Sequence, residues 1–325
     1  MKWQASAPSN IALIKYMGKI PNRENISTNS SVSYTLEHLR TFVEMEPLPL
    51  GSCDSWEPLE IAGRANVQIS KMGQERFLKH LQFLKKTWGY EGYLKVRSNN
   101  NFPSDCGLAS SASSFAALTH CTFLAIRDLK TAGEKNQKLD LTSEMLADLS
   151  RQGSGSSCRS FFSPWGLWDE KGAREIDLPF KKLHHQVVVV NDKIKRVSSS
   201  EAHKRISTSL LSEGRVARAE IRLANLKESM ERLDWKGSFE IIWSEFWDMH
   251  ALFETSRPSF GYMSQGSLKV LDVVKDVWQS KDDGPWVTMD AGPNVHLLYR
   301  EDQISLAKQI EGELAQTFPI ISHYV

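Results

Sequence analysis

The sequence predicts an α+β fold, and three observations carry that reading. Strand-like and helix-like runs interleave through the first half of the chain. Four consecutive valines within residues 186–191 read as a buried strand opening a second lobe. Two long stretches after it repeat their apolar residues at helical spacing. Such a pattern argues packed layers with a ligand site between lobes.

Taken in order, residues 42–45 and 67–69 read as short strands and residues 77–88 as a helix. From residue 108 to 128 the chain turns helical, and Leu108, Ala112, Phe115, Ala116, Leu118 and Ala125 suit a buried face. Residues 131–140, charged and glycine-containing, are expected to be a loop between helices. Leu146 and Leu149 mark a short helix-like stretch. Beyond the valine strand, Val216, Ala219, Leu223, Leu226, Met230 and Leu233 fall on one helical face. Phe239, Ile242, Trp243, Phe246, His250 and Phe253 form a second stripe. His250 on that stripe reads as a hydrogen-bonded core histidine rather than a catalyst. Trp243, Trp247, Trp278 and Trp286 read as packing. Residues 286–299 read as strand, Gly-Pro turn, strand. A division near residue 184 gives lobes 1–184 and 185–325.

With 325 residues the chain can bury a substantial core in each lobe. Forty basic against thirty-nine acidic residues give no global pull toward nucleic acid or membranes. Cys53, Cys106, Cys121 and Cys158 show neither Cys-x-x-Cys spacing nor a metal pattern, as expected of reduced cytosolic thiols. No charged-then-apolar leader pattern is visible, and charges interrupt the apolar stretches. A cytoplasmic protein is the expectation.

Four segments carry chemistry. In residues 98–114, Pro103 forces an extended or turn conformation and Gly107 lets backbone approach a ligand. Ser110 and Ser111 then fall in the first turn of a helix, where unpaired N–H groups and the positive dipole end favour an anion. A plain turn or helix cap would look the same. Residues 7–19 are an apolar run with Lys15 inside it and Lys19 just beyond Gly18. An inward lysine needs an anion near it, unless it snorkels to the surface. Residues 151–160 place two glycines and four serines between and beside Arg151 and Arg159, which suits an oxyanion. Asp290 stands at the mouth of the 286–299 turn, as a turn former or as a base.

Together these segments resemble the mevalonate diphosphate decarboxylases, a branch of the GHMP kinase superfamily. The likeness is densest in residues 6–19, 29–36, 99–118, 151–160 and 288–294, and thinner in 197–215 and 247–262. It implies a two-lobed GHMP-kinase-like fold with the site in the cleft, and lobes of that type. It also implies ATP and Mg²⁺, with the metal held mainly by the nucleotide rather than by a protein cage. Asp290, Lys15 and Arg159 match the family's catalytic set, with Arg159 on the substrate carboxylate. Ser154, Gly155 and Ser156 match groups on the substrate phosphates, and Asn10, Tyr16 and Lys19 line the same site. Asn100, Asn101, Pro103, Gly107, Leu108, Ala109, Ser110 and Ser111 match the nucleotide segment. A homodimer is what the family suggests.

Departures from the family pattern are Met17 for Trp, Ile20-Pro21-Asn22 for a basic-acidic sequence, and Ser104-Asp105-Cys106 for Thr-Ala-Ala. Phe162-Ser163-Pro164-Trp165 replaces a Gly-Gly turn, and Ser200 stands where some bacterial members carry an arginine. The implied reaction is ATP-dependent decarboxylation of mevalonate 5-diphosphate to isopentenyl diphosphate through 3-phosphorylation. Decarboxylation of mevalonate 5-phosphate, a 3-kinase that stops at the phosphorylated intermediate, and a sensor that kept the fold are the alternatives. Asp105 reads as a helix cap, or as a contact to the metal of the nucleotide.

Overall fold

Two β-sheets with helices packed on them build the protein, in a computed structural model that describes residues 1–20, 25–64, 69–102, 110–133, 140–191 and 196–325. The first half runs β1 (Trp3–Ile14), β2 (Ser31–Leu48), β3 (Ser55–Pro58), α1 (Lys71–Thr87), β4 (Tyr93–Asn100), α2 (Ser110–Gly133), α3 (Ser143–Gly153), a 3-10 stretch Gly155–Phe161, β5 (Trp165–Asp169) and β6 (Gly172–Glu175). Among the described residues its strands are ordered β3-β4-β2-β5-β6, with β1 also paired to β2. The β3–β4 pair is parallel and the others antiparallel. The second half runs β7 (His184–Val188), α4 (Ser199–Arg205), α5 (Arg215–Glu231), α6 (Trp235–Glu254), α7 (Gln265–Lys281), β8 (Trp286–Thr288), β9 (Val295–Tyr299), α8 (Ile304–Leu314) and β10 (Ile320–His323). Its antiparallel sheet has the order β10-β7-β9-β8.

The end of β1 joins the two sheets. Every residue from Ala7 to Ile14 is buried, so this strand is covered on both faces. Ile11, Leu13 and Ile14 belong to one apolar cluster with Val187, Phe246 and Leu297 from the second half. Each such fully buried side chain contributes roughly 1.5–3 kcal/mol relative to exposure. The strand therefore has a strong apolar reason to end deep between the halves, with Lys15 as its next residue.

Pro8 leaves its mark on the register. It has no N–H to give, and the pairing shifts from Pro8↔Arg40 to Ser9↔Leu36, so β2 bulges. Asn101 clasps the bulge: its side chain accepts from the Arg40 N–H at 2.7 Å and donates to the His38 carbonyl at 2.7 Å.

Several sequence expectations change here. The first helix begins at Lys71, not near residue 77, because Ser70 caps it by accepting from the Gly73 N–H. Ile69 precedes that cap and lies outside any strand, while Val67 lies outside the described residues. The sequence reading gave no strand at β3, β4, β5, β6 or β10. Residues 131–133 belong to α2 rather than to a loop. β7 starts at His184 and ends at Val188, two residues earlier and three residues earlier than expected. On α5, Ala219, Leu223, Leu226 and Met230 are buried as the periodicity implied. Val216 and Leu233 are 42% and 64% exposed, and Leu233 sits past the helix end at φ 57°. The tryptophans do pack: Trp286 stacks on Trp235 at 3.8 Å, and the Trp278 indole donates to the Pro285 carbonyl.

Candidate active site

Four chain segments far apart in sequence meet in one cleft of about 190 Å³. Lys15, Tyr16 and Lys19 come from the segment after β1, Ser110 and Ser111 from the first turn of α2, Ser154 from just before the 3-10 stretch, Gly155, Ser156 and Arg159 from that stretch, and Asp290 from the turn after β8. Arg76, Asn25, Ser198, Ser199, Ser200 and His203 also line it. Among the described lining residues, four side chains of lysine or arginine face one carboxylate. A cleft with that surplus attracts a polyanion.

The centre of the cleft is an ion pair. Lys15 Nζ lies 2.7 Å from Asp290 Oδ1, with the lysine side chain 2% and the aspartate side chain 26% exposed. Burial pulls the Lys15 ammonium below its ordinary range, against the opposing pull of Asp290 and Glu245. For Asp290 burial alone acts upward, yet the Lys15 charge and hydrogen bond, His296 and Arg159 together hold it below the usual carboxylate range. Asp290 is thus an anion at neutral pH, with one edge toward the cleft. The His250 ring, buried on α6, hydrogen-bonds the backbone of Asp290, which matches its expected place as a core histidine.

Arg159 is 2% exposed and has no ion pair among the described residues. Its Nε donates to Ser33 Oγ at 3.1 Å and its Nη1 to Ser31 Oγ at 2.7 Å. The Trp168 ring lies 5.9 Å below the guanidinium. Two hydroxyls and an aromatic face hold the fork without neutralising it, which leaves a fixed positive charge for a planar anion.

The 154–156 turn is built for close approach. A Cβ on Gly155 would stand 2.5 Å from the Tyr16 ring, so only glycine fits there. The Tyr16 hydroxyl is buried and has no hydrogen-bond partner among the described residues. Its ring packs on Trp168 and His203 at 4.7 and 4.4 Å. Ser154 Oγ donates to Ser111 Oγ at 3.3 Å, joining this turn to the N-terminus of α2. Lys19 Nζ donates to Asn25 Oδ1 at 2.7 Å, and burial, then Arg76 and Lys204, lower its affinity for a proton.

Asn10 acts from behind the wall. Its amide donates to Ser160 Oγ at 2.8 Å and to the Ser156 carbonyl at 3.2 Å, so it holds the turn. Asn100 accepts from Thr41 Oγ1 at 2.7 Å, and Asn101 is the clasp on β2. Pro103, Asp105, Cys106, Gly107, Leu108 and Ala109 lie outside the described residues. Arg76, Asn25 and His203 escaped the sequence reading. Arg76 fell in a stretch given no helix, and nothing local distinguishes Asn25 or His203.

The donor set fits a nucleotide and its metal. Hydroxyls, a helix N-terminus and lysines suit phosphates, whereas one carboxylate suits Mg²⁺ that arrives on phosphate oxygens. No group of three His, Cys, Asp or Glu that could hold a metal is found among the described residues.

Comparison with known proteins follows the same line. Residues 7–177 match the model of the diphosphomevalonate decarboxylase-like N-terminal domain. Residues 186–323 match that of the mevalonate 5-diphosphate decarboxylase C-terminal domain. The chain is similar to a mevalonate diphosphate decarboxylase from Legionella pneumophila, at 47% identity and a TM-score of 0.91 over 99% of this chain and 100% of that one. It is similar to a structure described as MDDEF in complex with MVAPP, AMPPCP and magnesium, at 29% identity and a TM-score of 0.84 over 100% and 99%. A diphosphomevalonate decarboxylase of Ganoderma lucidum is 30% identical over 97% of this chain and 82% of its own length.

Proposed function

The chain belongs to the diphosphomevalonate decarboxylase family, and from that premise we infer which of its residues carry the reaction. The protein converts mevalonate 5-diphosphate and ATP into isopentenyl diphosphate, ADP, phosphate and CO₂. Its cofactor requirement is Mg²⁺ with ATP. The observation that supports the site assignment is the Lys15–Asp290 pair at 2.7 Å, set beside a buried arginine that has no carboxylate partner among the described residues.

Hydroxide is a poor leaving group, so the tertiary alcohol is first phosphorylated. Asp290 accepts the proton of the 3-hydroxyl as the hydroxyl oxygen attacks the γ-phosphorus of ATP, and the bond from that phosphorus to the bridging oxygen breaks, releasing ADP. Lys15 keeps Asp290 ionised and offsets charge on the transferring group. Arg159 holds the substrate carboxylate. The C3–O bond then breaks and phosphate leaves with its electron pair. The bond between C2 and the carboxylate carbon then breaks, and its electron pair forms the C2=C3 double bond, giving the alkene and CO₂. Magnesium, when bound, neutralises charge across the nucleotide phosphates.

Tyr16, Lys19, Ser154, Gly155 and Ser156 take the substrate phosphates in this reading, and Asn10 holds their turn in place. Ser110 and Ser111 at the start of α2 take nucleotide phosphates, with Asn100, Asn101, Pro103, Gly107, Leu108 and Ala109 completing the nucleotide segment. Two lobes dividing near residue 184, a cytoplasmic location and a homodimer complete the proposal. No helix among the described residues is long and apolar enough to cross a membrane.

A coupled assay tests the reaction. ADP and CO₂ are expected in equal amounts from mevalonate 5-diphosphate. ADP without CO₂ would make the protein a kinase, and a preference for the 5-monophosphate would replace the substrate.

A further inference from the structure

Lys15 follows directly on β1, yet its peptide is not held by a neighbouring strand. Its N–H donates to Glu245 Oε1 at 2.9 Å. Its carbonyl accepts from Asn29 Nδ2 at 3.0 Å and from Arg215 Nη2 at 3.4 Å. Glu245 lies on α6 and is fully buried. Its carboxylate also receives Arg215 from α5 and Arg222 Nη1 at 3.0 Å. Asp248, one turn further on, receives Arg215, Arg218 and Arg222 but does not touch Lys15.

A buried carboxylate with two guanidinium partners is not needed to satisfy one backbone N–H, because a neutral side chain would serve. Its charge is the distinguishing feature. We propose that Glu245, braced by Arg215, is a positioning residue for the reaction: it fixes the Lys15 peptide from the second half of the chain and supplies the negative field that keeps the Lys15 ammonium charged beside Asp290. This rests on the reading of Lys15 as a catalytic group.

The other titratable and charged groups facing Lys15 are Asp290 from the turn after β8, Arg159 from the 3-10 stretch, Arg215 from α5, and the neutral His250 ring from α6. Asp290 and Glu245 raise the lysine's affinity for its proton, whereas burial and Arg159 lower it. Replacing Glu245 by Gln removes one favourable charge and leaves Arg215 and Arg222 less compensated. Both changes act in the same direction. The alkaline limb of turnover, where Lys15 loses its proton, should move to lower pH.

The test uses the full chain with mevalonate 5-diphosphate and Mg·ATP, and compares Glu245→Gln, Asp248→Asn, Lys15→Ala and the Glu245→Gln/Lys15→Ala double variant. Glu245→Gln is expected to lower kcat about tenfold or more with KM within about threefold, and to shift the alkaline limb down by roughly half a pH unit or more. Asp248→Asn, which also leaves Arg215 and Arg222 less compensated but removes no contact to Lys15, should lose thermal stability with a clearly smaller limb shift than Glu245→Gln. In the Lys15→Ala background, Glu245→Gln should cost little further turnover. A wild-type kcat and limb in Glu245→Gln, an equal limb shift in Asp248→Asn, or full additivity with Lys15→Ala overturns the proposal. Wild-type turnover in Lys15→Ala removes Lys15 from the mechanism, and the proposal with it. If Glu245→Gln does not fold, Glu245→Asp keeps the charge and shortens the reach. It should lower kcat with the limb unmoved, and an unchanged kcat overturns the positioning role.

Discussion

Asp290 and Arg159 hold opposite charges for opposite reasons, and each makes a separate prediction. Asp290 stays anionic because Lys15 lies 2.7 Å away in a site that water reaches only on one side. Asp290→Asn keeps the size and loses the carboxylate proposed to accept the proton, so turnover should fall roughly 10²–10⁴-fold with substrate still bound. Single-turnover kinetics with saturating ATP would show it, and a rate above a tenth of wild type would remove Asp290 as the base. Arg159, though buried, keeps an uncompensated charge for a planar anion because Ser31 and Ser33 hold its fork without neutralising it. Arg159→Lys keeps the charge and loses the fork. It is expected to raise KM or lower kcat about tenfold or more, whereas wild-type values for both would make Arg159 a brace for its turn. Lys15 was legible in the sequence because a lysine inside an apolar run asks for a partner. Glu245 was not, because nothing on an amphipathic helix says that one of its acids is buried and reaches a backbone 230 residues away.

Between residues and the whole lie the turns that carry them. The 154–156 turn presses on Tyr16, whose ring is already held by Trp168 and His203. Gly155→Ala therefore has nowhere to put its methyl group. It should lower stability by about 1–3 kcal/mol and displace the serines on either side, with a matching loss of substrate affinity. Thermal unfolding with and without substrate separates the two effects, and a variant with wild-type Tm and KM would show that the turn yields freely. The sequence reading placed Gly155 among the groups expected on the substrate phosphates, but the neighbour that requires a glycine there was not legible. The same holds for α1. A serine cap before a methionine and a glycine gives a weak local signal, so the helix looked shorter and Arg76 stayed out of view. Pro8 has a visible local effect, yet the compensation by Asn101 comes from the residue just past the end of β4.

At the scale of the molecule, buried histidines set the response to acid. His38, His80 and His250 are pulled by burial to about 3, and His185 well below its ordinary 6.5. His185 bonds His38 and His296 at 3.0 Å each, linking β2 of the first sheet to β7 and β9 of the second. The unfolded chain takes up these protons near pH 6.5, while the folded chain refuses them until far lower. Stability is therefore full above about pH 6.5 and falls as the pH drops toward 3, by up to about 1.4 kcal/mol per pH unit for each histidine. Urea midpoints from pH 8 to pH 5 should decline, and His80→Gln should flatten the slope. A midpoint independent of pH would contradict the burial of these rings in neutral form. The sequence by itself determined the α+β class, much of the interleaving and the four segments that meet at the cleft, because periodicity, turn residues and misplaced charges are local signals. Tertiary structure alone decided which charges meet, since Lys15 and Asp290 are 275 residues apart. It also decided which acids and histidines are buried, because burial depends on what the rest of the chain packs against them.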